Sequence, residues 1–467
     1  MPERFPPRVF DRLAIAAPGD LLFGHAPDPV ACGFDLTIGA GQVYPEVNFT
    51  LPAIEVCRQN WPEILAQYDE MARIILRRMV ALQAPGVVLE FELLPAMTET
   101  PEWGAEIAAR LLGQMREAHE RHGLRSALRV TPTDIRDRVK PPELRSGAGW
   151  ESLARSFELT IAAGAHIVSI ESIGGKEVHD PALMYGDIRG MVFALGVLAP
   201  RDMRWLWGRI VHFCEEGGAI PGGDTACGFA NTAMQLAHQK MLPEVLAAVV
   251  RAMSAVRSLA AYESGAVGPS KDCAYEGPVM KAIAGVPIAM EGKSAACAHF
   301  SPMGNIAAAM CDLWSNESVQ NVRLLSGNAP EAFAELLAYD CRLMNVALAR
   351  NEGARLRDWM IESDEWLSPQ AAVLSPAATI RIAEAIAGSR GDYRRAIAAG
   401  QAAVGILQDG MAGGRLVLSG KEEQWLRRID RELAALPEEE PALVAEMQAP
   451  YQGVYAPESY GGAGEGL

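Results

Sequence analysis

The feature that most constrains the fold is an alternation between short β-rich runs and longer amphipathic segments along most of the chain. This alternation is typical of a parallel sheet whose strands are connected by helices. Eight strands are predicted, at Phe34–Ile38, Val87–Glu92, Ser126–Thr131, His166–Glu171, Ala219–Asp224, Ala260–Val267, Pro287–Lys293 and Asn321–Leu325. Eight such units favour an α/β fold of the (β/α)8 barrel type over roughly residues 30 to 350. An open doubly wound sheet is the alternative, and it is less favoured because no GxGxxG element follows an early strand.

Apolar residues recur with helical spacing between the predicted strands. After Trp61, residues 64, 65, 68, 71, 75 and 79 are apolar, and charged residues fill the opposite face. Beyond about residue 350 the strand signals stop and helical patterns continue. We therefore expect a barrel with an N-terminal extension over residues 1–350 and a C-terminal helical segment over residues 351–467. Its Gly-rich end, YQGVYAPESYGGAGEGL, predicts a flexible tail.

The composition argues against several classes of partner. The chain has 58 acidic and 42 basic residues, a formal net charge of −16, and no block of Lys and Arg. Nucleic acids and anionic membranes are therefore poor candidates. No secretory signal core and no membrane-spanning apolar stretch is evident, and the eight cysteines form no CxxC pair. These observations predict a cytoplasmic protein with reduced thiols.

Unusual residues follow three consecutive predicted strands. They are Glu171, Cys227 and Cys273, and each strand end is rich in glycine. Chemistry in a (β/α)8 barrel takes place at the carboxyl ends of the strands, so these side chains could converge. Two thiolates and one carboxylate suit zinc, and three protein ligands leave one coordination position open for catalysis.

Other interpretations of these residues remain open at this point. Buried thiols are common in protein cores, so spacing alone does not distinguish a ligand from a small apolar residue. Glu177, His179 or Asp180 could also supply a ligand, although solvated loop positions are the simpler interpretation for them. Cys227 could instead pair with a distant His212 or His299 as a nucleophile, which nothing in the spacing supports.

Longer blocks around these positions resemble a known family. The blocks are IVSIESIGGKEVHD, GGDTACGFANTAM, GPSKDCAYEGP, EGKSAACAHFSPMGNIAAAMCDLWSNESVQNVRLL and YDCRLMNVA. Together they resemble the zinc-containing B subunit of methanol:corrinoid methyltransferase, the enzyme that begins methanol use in methanogens and some acetogens. The resemblance covers most of the chain and is weakest before residue 30 and after about residue 350.

The resemblance implies a barrel with additional helices and a zinc ion held by one Glu and two Cys. Glu171, Cys227 and Cys273 are the positions that match the ligand motifs of the family. It further implies that zinc acts as a Lewis acid on methanol, and that the methyl group passes to the cob(I)amide of a partner corrinoid protein. We also expect an oligomer.

Further site residues are predicted from their positions at strand ends and in the longest block. Asp224, Glu92 and Asp272 are candidates for the acid that protonates the leaving oxygen, with loop hydrogen bonding as the alternative role. Three residues of the longest block, Lys293, His299 and Asn305, are candidates for contacts with the corrinoid or the substrate, and structural roles are equally compatible.

Two rival functions remain. The chain could be a zinc corrinoid methyltransferase that uses another small methyl donor, such as an aryl methyl ether or a methylated thiol. It could also be a non-catalytic barrel that serves as an assembly subunit, although the intact set of three candidate ligands argues against this.

Overall fold

A curled sheet of seven parallel strands lies at the centre of the computed structural model, which describes residues 3–51, 54–271, 275–291, 301–319, 323–324 and 327–461. Its strands are β3 (Tyr44–Thr50), β4 (Val87–Glu92), β5 (Ser126–Thr131), β6 (Ile167–Ile170), β7 (Ile220–Asp224), β8 (Ala289–Glu291) and β9 (Leu313–Val319). Their order across the sheet is β7-β6-β5-β4-β3-β9-β8. The fold is therefore α/β with a parallel sheet, as predicted.

An irregular segment lies between the two end strands, β7 and β8. The backbone N–H of Val267 donates to Pro221 O of β7 at 2.9 Å, and that of Ser270 donates to Pro287 O, just before β8, at 3.1 Å. Residues 267–271 therefore connect the two end strands of the curled sheet. They form no regular strand because Pro269 has no N–H to donate and Gly268 has a φ of 85°.

Two small antiparallel pairs lie outside this sheet. The first joins β1 (His25–Cys32) to β2 (Leu36–Ala40), and the second joins β10 (Arg323–Leu324) to β11 (Gly327–Asn328). The predicted strands at Phe34–Ile38 and Asn321–Leu325 thus correspond to hairpins, as far as the described residues extend. The sheet positions predicted for these two strands are occupied by β3 and β9 instead.

The remaining predicted strands differ in outcome. The bounds of β4 and β5 match the prediction, and β6, β7 and β8 lie within their predicted ranges. The strand predicted at Ala260–Val267 is wrong, because its first part continues a helix that ends at Glu263.

Helices cover the outside of the sheet. Those of the barrel region are α1 (Trp61–Ala81), α2 (Pro95–Glu99), α3 (Pro101–His122), α4 (Gly147–Ala162), α5 (Lys176–Tyr185), α6 (Ile188–Phe193), α7 (Ala199–Gly217), α8 (Thr232–His238), α9 (Glu244–Glu263), α10 (Gly277–Ala284), α11 (Gly304–Ala308) and α12 (Ala329–Ala349). Segments with π-helical hydrogen bonding, Ala194–Leu198 and Cys227–Asn231, precede α7 and α8. In α1 the predicted apolar stripe is buried against the sheet and α3.

The C-terminal helices pack onto one side of the barrel. They are α13 (Gly353–Asp364), α14 (Pro369–Ala372), α15 (Pro376–Ala387), α16 (Asp392–Ala412), α17 (Gly420–Ala434) and α18 (Glu440–Gln448). Helix α16 packs against α9, and α15 against α10. Helix α9 is apolar and long enough to span a membrane, but all of its most apolar stretch is buried inside this protein, so it is a core helix.

The predicted flexible tail is packed as far as the structure describes it. Residues 457–460 form a short 3-10 helix, and Tyr455 and Tyr460 are buried against the barrel helices. The aromatic side chains explain the difference, because each removes a large apolar area from water although glycines surround them in the sequence.

Candidate metal and methyl-transfer site at the barrel mouth

Carboxylates surround a buried lysine at the carboxyl ends of the strands, which we call the barrel mouth. Lys271 Nζ lies 2.6 Å from Glu90 Oε1, 2.5 Å from Glu92 Oε1 and 3.9 Å from Glu171 Oε1. The Lys271 and Glu90 side chains are fully buried, whereas those of Glu92 and Glu171 are 27% and 36% exposed. Among the described residues, three carboxylates around one ammonium leave a net negative charge, which suits an additional cation at the mouth.

A second charged layer lies deeper in the barrel. Arg129 Nε donates to Glu46 Oε1 at 2.7 Å, and its Nη1 donates to Ser169 Oγ and Pro269 O, each at 2.9 Å. The Arg129 and Glu46 side chains have no solvent exposure. This one guanidinium joins β3, β5, β6 and the irregular closing segment, so the floor below the mouth is cross-linked from several sides.

Residues Glu171–Gly175 form the loop after β6, and we call them the Glu171 loop. The backbone N–H of Ser172 donates to Asp224 Oδ1 at 3.4 Å. Asp224 also accepts hydrogen bonds from Arg257 Nη2 at 2.9 Å and Trp207 Nε1 at 3.2 Å. Burial raises the pKa of Asp224, and the adjacent Arg257 guanidinium opposes this effect. Asp224, at the end of β7, thereby holds Ser172, the residue that follows Glu171.

The next residues of the Glu171 loop contact a second buried ion cluster. The N–H of Ile173 donates to Asp134 Oδ2 at 3.1 Å. Arg136 lies between Asp134 and Asp202, at 2.7 and 2.8 Å, with all three side chains fully buried. A Cβ atom on Gly174 would overlap the Asp202 side chain, so the loop packs directly on this cluster.

Cys227 begins the π-helical segment Cys227–Asn231, which we call the Cys227 turn. Asn231 Nδ2 donates to Cys227 Sγ, with 3.5 Å between the two atoms. The N–H of Ala226 donates to Glu276 Oε1 at 2.7 Å, and Ser258 Oγ donates to the same oxygen at 2.8 Å. Glu276 lies three residues after Cys273 in the chain, so it connects the segments that carry the two candidate thiol ligands.

The two candidate ligands of the described chain are brought to neighbouring corners of the mouth. Ile170 of β6 pairs with Asp224 of β7, and Glu171 and Cys227 follow these two residues. Lys176, at the start of α5, donates from Nζ to Gly228 O at 2.9 Å and therefore links the Glu171 loop to the Cys227 turn. Cys273 lies outside the described residues. Within the described residues, no group of three or more His, Cys, Asp or Glu side chains is arranged to hold a metal.

Cys227 differs from most other described cysteines in its exposure. Cys32, Cys214, Cys311 and Cys341 are buried, whereas Cys227 is only partly buried. Burial raises the pKa of each of these four thiols, that of Cys32 to about 12. The four buried cysteines are therefore neutral thiols in the core.

The candidate acids lie in different environments. Glu92 is at the mouth, where its Oε1 accepts a hydrogen bond from Asn48 Nδ2 at 3.0 Å in addition to its contact with Lys271. Asp224 is fully buried in its ion pair with Arg257, beneath the Glu171 loop. Asp272 lies outside the described residues.

One of the three candidate corrinoid contacts lies within the described residues. Asn305 lies in α11, where its backbone N–H donates to Asp364 Oδ2 at 2.7 Å and its Nδ2 to Ser363 Oγ at 3.1 Å. These bonds tie it to α13. Lys293 and His299 lie outside the described residues.

The alternative ligands have other contacts. Glu177 receives a hydrogen bond from the Tyr460 hydroxyl, and burial raises the pKa of Glu177 to about 7. Asp180 pairs with Lys176 at 2.7 Å, and His179 is buried with its ring edge-on to Phe229. His212 is exposed on α7 and lies 3.5 Å from Glu216, and no contact between it and Cys227 is found in the described part of the chain.

Several residues that shape the mouth were missed by the sequence reasoning. Lys271 and Glu276 stand inside the blocks that carry the resemblance, where the cysteines drew attention instead. Arg257 offered a clearer signal, since it is a charged residue within the long apolar stretch of α9. A charge in such a stretch is expected to have a buried partner.

Comparisons with known proteins agree along the whole chain. A family model described as MtaB, methanol-cobalamin methyltransferase B subunit, matches residues 7–461. The chain is 38% identical over 460 residues to the methanol–corrinoid protein co-methyltransferase of Methanosarcina barkeri (strain Fusaro / DSM 804), a match that covers 97% of this chain and 99% of that protein. It superposes with a TM-score of 0.93 and 37% identity on a chain of the methanol:cobalamin methyltransferase complex MtaBC from Methanosarcina barkeri, covering 97% of this chain and 99% of that one.

Proposed function

This chain belongs to the methanol-cobalamin methyltransferase B subunit family, and from this membership we propose that it transfers the methyl group of methanol to the cob(I)amide of a partner corrinoid protein. The family resemblance seen in the sequence is confirmed. The observation that carries the proposal is the identity of 38% over 97% of the chain to a protein named for this reaction.

The proposal includes a zinc ion held by Glu171, Cys227 and Cys273. Glu171 and Cys227 fit this role, because they follow neighbouring strands and combine a hard carboxylate oxygen with a soft sulfur. The carboxylates around Lys271 add the negative charge that a cation requires. When bound, zinc would supply Lewis-acid polarisation of the C–O bond of methanol.

The residues of the chain itself divide into two roles in this proposal. Glu92 is the described candidate acid whose carboxylate reaches the mouth, so it is placed to hold a proton near the leaving oxygen. Asp224 is buried in its contacts with Arg257, Trp207 and Ser172, and we assign it the positioning of the Glu171 loop. Asp272 remains a second candidate acid, outside the described residues.

A partner must bring its corrinoid to the open mouth. We propose that it docks over the loops that follow Thr131, Glu171 and Asp224, because these loops lie at the carboxyl ends of the strands, and over the segment after Lys293, which lies outside the described residues. Lys293 and His299 remain candidates for corrinoid contacts. Asn305 is bound to α13, which supports a structural role for it instead. The cytoplasmic location stays a prediction, as does the oligomer.

Zinc analysis combined with a methyl-transfer assay tests the proposal. We expect the purified protein to contain about one zinc per chain, which is the minimum for a three-ligand catalytic site. It should form methylcobalamin from methanol and cob(I)alamin, followed by absorption spectroscopy. C227S and E171Q should lose most of the zinc and the activity, because each removes a ligand.

C57S is the matched control, because Cys57 is also a partly buried thiol but is not a candidate ligand, and its Sγ donates to Asn60 Oδ1 at 3.4 Å within the β3–α1 loop. It should retain both zinc and activity. Full zinc and full activity in C227S would contradict the ligand assignment. Activity only with an aryl methyl ether or a methylated thiol would instead establish the rival donor, and zinc without transfer from any donor would support the assembly subunit.

A further inference from the structure

The C-terminal 3-10 helix places one hydroxyl group on the Glu171 loop. The backbone N–H of Gly175 donates to Tyr460 Oη at 2.7 Å, and this hydroxyl donates to a carboxylate oxygen of Glu177. The Tyr460 side chain is 2% exposed. The contact joins residues that are 285 positions apart in the chain.

The Tyr460 hydroxyl contacts the Glu171 loop at Gly175, a position that tolerates few other residues. Gly175 is the N-terminal cap residue of α5, and its φ of 87° is unfavourable for other residues. A Cβ atom there would also lie 3.0 Å from Ala194 O and 3.1 Å from Ala199 N. Since the first N–H groups of a helix have no acceptor within the helix, Tyr460 supplies one where the loop passes into α5.

Both groups that contact the hydroxyl depend on it. The second carboxylate oxygen of Glu177 is buried and has no hydrogen-bond partner among the described residues. Burial raises the pKa of Tyr460, so its hydroxyl keeps the proton that it donates to Glu177. Removing the hydroxyl would leave the Gly175 N–H and the Glu177 carboxylate without this partner at once.

The C-terminal segment is itself anchored near the hydroxyl. Ser459 Oγ donates to Pro142 O at 3.0 Å, which attaches the segment to the β5–α4 connection. Tyr455 packs edge-on against Phe193, with 5.5 Å between ring centroids. The position of the Tyr460 hydroxyl is therefore set by contacts that do not involve the Glu171 loop.

We propose that Tyr460 is a positioning residue for Glu171, acting through Gly175 and Glu177 to hold the Glu171 loop in the shape that binds the metal. The inference rests on the proposed function, because it takes Glu171 as a zinc ligand. Groups that orient metal ligands from outside the coordination shell commonly change metal affinity by 10- to 100-fold when they are removed.

The test compares Y460F with Y455F by measuring zinc affinity in competition with a chelator. Both substitutions remove one hydroxyl from a buried tyrosine of the same segment, and no hydrogen bond of the Tyr455 hydroxyl is found among the described residues. We expect about 10-fold weaker zinc binding in Y460F and unchanged binding in Y455F. The urea midpoints of the two variants should be similar.

The outcomes separate the possible explanations. Zinc affinity in Y460F equal to that of the wild type would overturn the inference while leaving the proposed function intact. Equal losses of zinc affinity and of stability in both variants would also overturn it, because they would indicate a general packing role. Absence of zinc from the wild-type protein would instead reject the proposed metal site, before any variant is compared.

Discussion

The Glu171 loop and the Cys227 turn carry the two described candidate ligands, yet different forces hold them. In the loop, the N–H groups of Ser172, Ile173 and Gly175 donate to side chains from three other parts of the chain. In the turn, the N–H groups of Phe229 and Ala230 donate to the local carbonyl of Ala226. The shape of the loop therefore depends on distant polar side chains, whereas the turn is largely held by its own backbone.

The largest expected effect comes from D224N, which replaces the carboxylate beneath the Glu171 loop with an amide. The amide keeps the volume of Asp224 but removes the negative charge that faces Arg257 at 2.9 Å. Because the Arg257 guanidinium then stays buried without a carboxylate partner, the free energy of unfolding should fall by about 3–5 kcal/mol. Urea denaturation of the two proteins measures this difference.

D180N provides the control on the side of the Cys227 turn. Asp180 pairs with Lys176, which in turn bonds to Gly228, but the Asp180 side chain is 43% exposed. Water screens such a pair, so we expect a loss of about 1 kcal/mol or less. Similar losses in D180N and D224N would remove the distinction between the two regions.

Sequence patterns were sufficient for strands whose own residues are apolar. Strands β4 and β5 were predicted with their correct bounds because they are short, apolar-rich runs between clear helical patterns. Strand β3 was missed because Pro45, Glu46 and Asn48 make it polar. Glu46 can be buried in the core because it pairs with Arg129 on β5, a residue 83 positions away in the chain. Local patterns contain no information about such a pairing.

The same limit applies to the candidate site. Glu171 and Cys227 could be placed because each follows a predicted strand, and parallel strands end at one edge of a sheet. The groups that fix the Glu171 loop could not be placed from the sequence, because Arg257 and Tyr460 contact the loop across 85 and 285 residues of chain. The close packing of Gly174 against the Asp202 side chain inside the protein is likewise a contact that no local pattern indicates.

Alanine substitution of one glycine in each region gives a second, smaller test of the comparison. In G174A the new methyl group would overlap the Asp202 side chain, so we expect a loss of about 1–3 kcal/mol in the free energy of unfolding. In G228A the nearest atom is Lys176 Cδ at 3.6 Å, an ordinary contact distance, so the change should stay within about 0.5 kcal/mol. Thermal or urea unfolding of both variants measures the contrast, and a greater loss in G228A would reverse it.

A small effect is also expected for E276Q, which alters the side chain that supports the Cys227 turn. Glu276 Oε1 accepts hydrogen bonds from Ala226 N and Ser258 Oγ, and the amide oxygen of Gln can accept the same two. Burial raises the pKa of Glu276, which shifts the folded protein toward the neutral acid that Gln resembles. At pH 5 the two proteins should therefore differ by about 1 kcal/mol or less, whereas E276L, which removes the acceptor, should lose about 1–3 kcal/mol.

The pH dependence of E276Q tests whether this support is neutral or ionic. A carboxyl whose pKa is raised by folding contributes stability below its ordinary pKa, and this contribution is lost as the pH rises through the raised value. The stability of the wild type relative to E276Q should therefore fall between pH 5 and pH 8, as measured by urea unfolding at several pH values. If the wild type instead gains stability relative to E276Q over this range, the carboxyl is ionised in the folded protein. Both the Cys227 turn and the Glu171 loop would then depend on buried charge.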